Sequence, residues 1–512
     1  MAWLWLLVLA LPAPVLAGWK VAETAHFRVY SEGPQKRLVE QAALLEDFHR
    51  LLQDRTGRHP AAGAPRLDVF LVKNLQEATP WRKLGGNVAG FYRADRGRIS
   101  VIAVDPGEGN DDLADTALGG QQILLHEYGH HFLLGTAGVA YPPWYVEGFA
   151  EYFSTARFRR DSIEIGRISG NRGVWLAGAE WLPMEKLLAR TPALERHSES
   201  AMFYAQSWLL THYLFRTPGM RDRLVAYLTA TAAGADPVEA FRSHIDPDLQ
   251  GFQQKLRRYL DETSFSRLPR TAGTPASVAV KPLPASAGSL LMRLVSMEHG
   301  LPESRTEAAR EDVRARAAAA GPDALASRAL ALVELQNGNR AEARTLLDRL
   351  LVAEPDDPDL LRWRAMAAED LAESQRFLDR AFDAAPNDWR TLHAYARLYQ
   401  PARRPLPTHA LDLLLRAHDL APQVTEVVLD TAVALARANR LPEAANILEP
   451  LAWSPHGGPA AELAERLLMK ARAGDRAGLL AEIAEQQERM QARMSSLRGA
   501  ALSGASGRRQ SR

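Results

Sequence analysis

The sequence predicts an α+β region followed by an all-α array of helical repeats. Three observations support this division. Short segments of alternating apolar and polar residues lie within the first hundred positions, and helical periodicity dominates from there to about residue 262. After a segment rich in Pro, Ser, Ala and Thr, helical patterns recur with nearly constant spacing. A length of 512 residues also favours two or three domains over a single core.

The composition narrows the classes of function. The chain is 46% hydrophobic and 24% charged, as in folded proteins. Its formal net charge of +1 provides no overall field for attracting nucleic acid or an anionic membrane, so no nucleic-acid partner is predicted. The absence of cysteine excludes disulfides, thiolate zinc sites and cysteine nucleophiles. Any bound metal therefore has to be held by histidine and carboxylate groups.

The N-terminus carries a candidate export signal. An apolar run that ends in Val15-Leu16-Ala17 predicts a signal peptide over residues 1–17, cleaved before Gly18. Two prolines interrupt this run, which is also short for a membrane span. The alternative is an uncleaved membrane anchor, because no Lys or Arg precedes the run. We expect an exported bacterial protein, periplasmic or extracellular, with no stable membrane span after cleavage.

The first folded region is predicted to span residues 18–262. Strands and helices are expected in the following order: strand 26–33, helix 35–57, strands 66–74 and 97–105, and helices at 118–134, 200–216 and near 236–262. Gly57 is the expected stop of the first helix. Because most strands come before most helices, the region is α+β rather than alternating α/β.

Two further boundaries follow from composition. Residues 263–289 are predicted to be a linker or surface crossing, since they are rich in Pro and small polar residues. Residues 476–512 are predicted to be a polar helix that passes into a basic, disordered tail. The helical array is expected between these segments, over residues 290–475.

The array repeats with a period near 34 residues. Its marking prolines are Pro322, Pro355, Pro386, Pro422 and Pro455, spaced by 33, 31, 36 and 33 residues. Paired helices with this period resemble the tetratricopeptide repeat, and the turn over residues 338–343 (GNRAEA) is the clearest local signature. The alternative is a generic array of Ala/Leu/Arg helices, which would also present a stacked surface. Either form favours a protein partner.

One segment of the first region carries groups suited to metal chemistry. His126-Glu127-Tyr128-Gly129-His130 is an HExxH motif, and on a helix its two histidines share one face. Glu127 then lies beside the ion without binding it, where a general base is needed. Because a catalytic zinc ion takes three protein ligands, Glu147 on the following helix is the candidate for the third. Glu151, on the same face, is expected to accept a hydrogen bond from the outer nitrogen of a histidine ligand.

The sequence allows two alternatives to a catalytic site. The first is a surface helix with incidental histidines, which the second helix disfavours because it brings acidic groups in the right order. The second is a structural zinc site, which is disfavoured because such sites have four protein ligands and no fourth is apparent.

HExxH followed by Trp-x-x-Glu-Gly-x-Ala-Glu resembles the gluzincin metallopeptidases, the superfamily of thermolysin and the aminopeptidase N type enzymes. The likeness is greatest to the bacterial peptidase MA-like branch; it covers roughly residues 18–262, and its specific motifs lie in 126–151. It implies a zincin-like metallopeptidase domain ahead of the tetratricopeptide-like solenoid. It further implies Zn²⁺ bound by His126, His130 and Glu147, with Glu127 as catalytic base. No Gly-x-Met-x-Asn element of the aminopeptidases is present, so exopeptidase activity at N-termini is not implied.

The same resemblance suggests a group that stabilises the oxyanion. Tyr204, within the segment 203–208 (FYAQSW), is the candidate, because a phenol can donate to a developing negative charge. The alternative is a core aromatic whose hydroxyl is satisfied locally. His197, His212 and Tyr213 are weaker candidates for the same role. The segment Arg98–Val104 is expected to be an edge strand ahead of the motif helix, which an extended peptide could join as an additional strand.

The predicted function is an exported zinc endopeptidase that acts on a peptide or protein substrate, with the repeats binding that substrate or a protein partner. The alternative is a non-catalytic interaction protein, in which the repeats act and the metallopeptidase-like region is a structural or peptide-binding module. The intact Glu127 favours the enzyme, since a site that had lost its catalytic activity would not need its general base.

Overall fold

The computed structural model describes residues 18–83, 89–105, 119–270, 276–399, 407–454 and 458–489. The predicted signal peptide at 1–17 and the end of the predicted basic tail lie outside these ranges. Within them, no helix is both long enough and apolar enough to cross a membrane.

A six-stranded mixed sheet forms the frame of the N-terminal region. In spatial order its strands are β4 (Gly90–Asp95), β5 (Arg98–Val104), β3 (Leu67–Val72), β2 (Phe27–Ser31), β1 (Lys20–Glu23) and β9 (Ala279–Pro282). The pairs β2–β3 and β3–β5 are parallel, and the other pairs are antiparallel. A parallel pair needs a crossover, which α1 (Gln35–Thr56) provides between β2 and β3. This helix ends at Gly57, whose φ of 67° only glycine adopts readily, as predicted.

The strand Arg98–Val104 is not an edge strand. It pairs with β3 on one side and with β4 on the other. The prediction that a peptide could join this strand is therefore wrong. The edge belongs to β4, which forms a tight hairpin with β5 through Arg96 and Gly97 and which the sequence pattern did not reveal.

The segment 263–289, predicted as a linker or surface crossing, contains two short strands. One is β9; the other is β8 (Ser266–Pro269), which completes a small antiparallel sheet with β6 (Arg157–Phe158) and β7 (Ser162–Ile165). Both β8 and β9 are edge strands that end in proline, a residue that edge strands tolerate. Their proline content made them resemble a loop in the sequence.

The helices of the N-terminal region include those predicted at 118–134, at 200–216 and near 236–262, the last as two helices, together with several that the sequence pattern did not reveal. They are α2 (Leu75–Ala78), α3 (Gly120–Ala137), α4 (Pro143–Ser154), α5 (Gly170–Gly178), α6 (Met184–Leu188), α7 (His197–Arg216), α8 (Met220–Ala232), α9 (Pro237–His244) and α10 (Leu249–Tyr259). Helix α4 is buried along its whole length between α3 and α7. Trp144 on α4 and Trp208 on α7 are among the largest fully buried side chains.

The C-terminal region is a helical array. Its helices are α11 (Ala287–Glu298), α12 (Thr306–Ala320), α13 (Ala324–Gln336), α14 (Arg340–Ala353), α15 (Pro358–Met366), α16 (Leu371–Ala384), α17 (Trp389–Arg397), α18 (Thr408–Leu420), α19 (Thr425–Arg437), α20 (Leu441–Ala452) and α21 (Pro459–Arg472), with a further helical stretch over 476–489. Consecutive helices pack against each other, as in a solenoid. Gly338, with φ of 82°, makes the predicted turn between α13 and α14.

The array covers one face of the sheet. Phe70 and Ile102, from β3 and β5, belong to the same buried cluster as Leu290 and Val295 of α11. The side chain of Arg98 on β5 is paired with Glu298 of α11 and with Asp68 of β3. The sheet and the first helices of the array therefore share one hydrophobic core.

Candidate metal centre

Two glycines allow close packing of the helices that carry the predicted ligands. A Cβ atom at Gly129 of α3 would lie 3.3 Å from the Cα of Ala150 on α4. A Cβ atom at Gly148 of α4 would overlap the side chain of Thr211 and the carbonyl of Ser207 on α7. The absence of a side chain at both positions lets three helix backbones lie close together around the site.

The structure brings the three predicted metal ligands together. The Nε2 atoms of His126 and His130 lie 3.0 Å apart, and each lies 3.5 Å from Oε2 of Glu147. Two ligand atoms bound at about 2.0–2.1 Å to one tetrahedral zinc ion would be about 3.3 Å apart. The donor atoms thus fit a zinc ion with almost no rearrangement. Among the described residues, no other set of three His, Asp or Glu side chains converges in this way.

The site is buried on one side and open on the other. The side chains of His130 and Glu147 are only 3% and 2% exposed, whereas that of His126 is 16% exposed. A position next to His126 is therefore reachable from solvent. A catalytic metal site needs such an open position, because water and substrate bind there.

Glu127, the predicted general base, is held by the edge strand of the sheet. Its Oε2 accepts a hydrogen bond of 3.0 Å from the backbone N–H of Tyr92 on β4. This contact fixes the carboxylate and leaves Oε1 for another partner. Since β4 itself was not predicted, the contact could not be anticipated from the sequence.

Glu151 lies next to the outer nitrogen of His126, one of the predicted ligands. Its Oε1 is 3.5 Å from Nδ1 of His126. Both of its oxygens also accept hydrogen bonds from Arg172, at 3.0 Å from Nε and 2.6 Å from Nη2. Arg172 lies on α5, after the capping residue Ser169. No motif marks this arginine, so sequence reasoning missed it.

Tyr204, the predicted oxyanion-stabilising residue, lies beside the site on α7. Its ring centroid is 6.4 Å from that of His126, and the Arg172 guanidinium lies 5.0 Å from the ring centroid. The negative charge of Glu147, together with burial, raises the pKa of Tyr204 far above its usual value. A tyrosine is already protonated at neutral pH, and this shift keeps the phenol a hydrogen-bond donor at higher pH as well.

The site carries a negative potential. Burial alone would lower the pKa of His126, but a hydrogen bond with Glu147 and the charges of Glu151 and Glu127 raise this pKa to about 9. A potential that favours a proton on an imidazole also favours a cation near it. His131 is different: it faces β4, where its Nδ1 lies 3.2 Å from the hydroxyl of Tyr92, and burial lowers its pKa to about 3.

Comparison with known proteins identifies part of the helical array. A family model of the tetratricopeptide repeat matches residues 322–367, which include α13, α14 and α15. This match confirms the predicted repeat in that part of the chain. No curated protein matches the chain. Repeats of this kind build extended binding surfaces, which supports a protein partner for the array.

Proposed function

We propose that this chain is an exported zinc-dependent peptidase, acting as an endopeptidase, with a zincin-like N-terminal domain. His126, His130 and Glu147 would hold the metal. The main observation behind the proposal is that donor atoms from two helices converge. The Nε2 atoms of His126 and His130 lie 3.0 Å apart, each lies 3.5 Å from Oε2 of Glu147, and the site is open at His126. Export is part of the proposal and rests on the apolar run at residues 1–17.

The chemistry follows from the groups around the open position. A zinc ion held by these three residues would supply Lewis-acid chemistry, activating water and polarising a carbonyl. Oε1 of Glu127 accepts a proton from water at the site and returns it to the leaving amine. Tyr204, a neutral phenol beside the site, would donate a hydrogen bond to the negative charge that develops on the substrate's carbonyl oxygen. Glu151 and Arg172 keep His126 in the orientation that a ligand needs.

A non-catalytic interaction protein is the second candidate. The match of residues 322–367 to the tetratricopeptide repeat favours it, because such repeats bind other proteins. In this case the N-terminal region would bind a peptide or support the array without hydrolysing anything. The arrangement around Glu127 favours the enzyme, since a peptide-binding module needs no oriented carboxylate next to a metal site.

The first test is the metal content of the purified chain, measured by elemental analysis. We expect about one zinc ion per chain, because catalytic sites of this type bind a single ion. His126→Ala should lose the metal, whereas His197→Ala, an exposed histidine at the start of α7, should retain it. The zinc-loaded chain should then cleave members of a peptide library, and a chelator should stop cleavage. No zinc after reconstitution, or cleavage that does not depend on zinc, would overturn the proposal.

A further inference from the structure

A second cavity lies on the opposite side of α4 from the candidate metal centre. Its volume is about 580 Å³, which is within the range of pockets that bind small molecules. Tyr145, Tyr152 and Phe153 of α4 line this cavity, whereas Glu147 and Glu151 of the same helix face His126. The cavity is therefore separate from the metal ligands and needs an explanation of its own.

The walls of the cavity are mostly apolar and come from several elements. They include Leu133 of α3, Ile165 of β7, Phe215 of α7 and Leu224 of α8. Two valines that border the cavity, Val139 and Val225, are 38% and 58% exposed, which is unusual for large apolar side chains. Such a surface stabilises an apolar ligand by removing its chain from water.

Four arginines also line the cavity: Arg55, Arg58, Arg216 and Arg221. Among the described residues, no Asp or Glu lines it with them. Arg58 donates to the carbonyl of Thr136 at 3.3 Å, Arg221 donates to the carbonyl of Arg55 at 2.9 Å, and Arg216 donates to the hydroxyl of Ser266. All these acceptors are neutral, so the positive charge at the cavity is not compensated within it.

The arginines of the helical array provide a contrast. Arg364 is paired with Asp348 and Glu373, and Arg328 with Glu354 and Asp357. Guanidinium groups in this protein therefore commonly have carboxylate partners. In the cavity behind α4, several guanidinium groups lie next to apolar walls. The described residues that line this cavity include no carboxylate that could pair with them.

We propose that this cavity binds a long-chain fatty acid, with its carboxylate among the arginines and its acyl chain along the apolar walls. A carboxylate suits guanidinium groups because each can accept two parallel hydrogen bonds from one arginine. An inorganic anion would leave the apolar walls exposed, and an acidic peptide would place many amide groups against walls that offer them few partners. This proposal does not depend on the peptidase activity.

The test is a fluorescence titration of the full-length chain with cis-parinaric acid, a fatty acid whose emission rises in an apolar environment. Dodecanoate, methyl dodecanoate and inorganic phosphate then compete with it, all below their critical micelle concentrations where these apply. We expect saturable binding of one probe per chain. Dodecanoate should displace the probe, whereas the uncharged ester and phosphate should do so at least about tenfold less well, since each lacks one of the two contacts.

Two sets of variants locate the site. Arg58→Gln with Arg221→Gln should weaken probe binding by about tenfold or more, because hydrogen bonds between charged groups are lost. The control exchanges two exposed arginines of the array, Arg349→Gln with Arg376→Gln, and changes the net charge equally. At the mouth, Val225→Glu should weaken binding by repulsion more than Val225→Gln does, and this exposed position does not disturb the core.

Every outcome of these experiments either supports or contradicts the proposed fatty-acid site. Saturable binding that prefers the acid over its ester, and that only the cavity variants weaken, would support it. Absence of saturable binding, equal displacement by the ester, full displacement by phosphate, or equal loss in the control pair would overturn it.

Discussion

At the scale of single residues, substitution of Glu127 tests the proposed function, because it should separate the proposed metal binding from the proposed hydrolysis. Glu127→Gln keeps the size and the hydrogen bond from the Tyr92 N–H but removes the basic oxygen. If the proposed function holds, the variant should retain zinc while kcat falls by about 10²–10⁴-fold, the usual contribution of a general base. Zinc content and peptide cleavage are measured on the same preparation. Glu180→Gln, an exposed glutamate, is the control, and a zinc-loaded Glu127→Gln chain with wild-type activity would contradict the assignment.

His212 provides a prediction about pH that does not involve the metal centre. It is buried on α7, where its Nδ1 lies 2.9 Å from the hydroxyl of Tyr259 and its Nε2 lies 3.0 Å from the carbonyl of Ser264. A neutral imidazole satisfies both contacts by accepting from the phenol and donating to the carbonyl. Burial lowers the pKa of His212 to about 4. The folded chain therefore resists a proton that the unfolded chain accepts near pH 6.5.

It follows that acid favours unfolding through this residue. Between about pH 6.5 and pH 4, His212 should reduce the free energy of unfolding by about 1.4 kcal/mol for each pH unit that is lost. Urea unfolding at pH 7 and pH 5 measures the difference. In His212→Gln the difference should be smaller, whereas His197→Gln, an exposed position on the same helix, should leave it unchanged. An unchanged difference in His212→Gln would show that the imidazole is already protonated in the folded chain.

The sequence reveals those site residues whose spacing follows from helix geometry. His126 and His130 are one turn apart, and Glu147 and Glu151 repeat the same spacing on the next helix. The structure places these side chains together, as the spacing predicts. Arg172 was missed because its contact with Glu151 depends on tertiary packing, which leaves no periodic signal in the sequence.

At the scale of elements, the glycines between helices determine how closely α4 approaches its neighbours. Gly148→Ala would place a methyl group against Thr211 and the carbonyl of Ser207 on α7. A methyl group forced into a filled interior costs about 1–3 kcal/mol. We expect the free energy of unfolding to fall by about that amount, as measured by urea unfolding with circular dichroism. If the proposed function holds, the affinity for zinc should fall as well, since Glu147 is the preceding residue.

Gly288→Ala is the matched control for this exchange. Gly288 lies in α11, and a Cβ atom there meets nothing within 4 Å. Alanine in a helix without a steric conflict stabilises it by about 0.5–1 kcal/mol relative to glycine. The two exchanges should therefore change stability in opposite directions. Equal effects would show that α4 and α7 can move apart without cost.

Long elements were predicted better than short ones. Helices α1, α3 and α7 have several turns of apolar periodicity, and each was expected near its observed position. The strands β1, β4 and β9 have four to six residues and lie at or near an edge of the sheet, where the alternation of apolar and polar residues is weak. Their pairing is decided by the rest of the sheet, so a local pattern could not reveal it.

At the scale of the whole molecule, the two regions share a core rather than standing apart. β3 is buried along its length because α1 and α3 cover one face of the sheet and the first helices of the array cover the other. β9, which lies within the predicted linker segment, extends the sheet of the N-terminal region through its pairing with β1. Neither feature could be predicted, because both depend on contacts between residues that are distant in the sequence. The array is therefore a structural part of the N-terminal region as well as a binding surface.

Because the core is shared, we predict that a destabilising substitution in the array also destabilises the sheet. Leu290 of α11 is fully buried in the same cluster as Phe70 and Ile102. Leu290→Ala should cost about 2–5 kcal/mol, as for other buried leucines. Hydrogen exchange measured by mass spectrometry should accelerate in peptides from β3 and β5 as well as in α11, because opening of the helix uncovers one face of the sheet.

Leu448→Ala distinguishes this coupling from a general loss of stability. Leu448 is also fully buried, but it lies on α20 in a different cluster, formed by the last helices of the array. The Leu448→Ala substitution should accelerate hydrogen exchange in α19, α20 and α21 and leave the amides of β3 protected. If both variants expose β3 equally, the chain unfolds as one unit. If neither does, the array and the sheet are energetically independent, and a partner that binds the repeats could not influence the N-terminal region through this core.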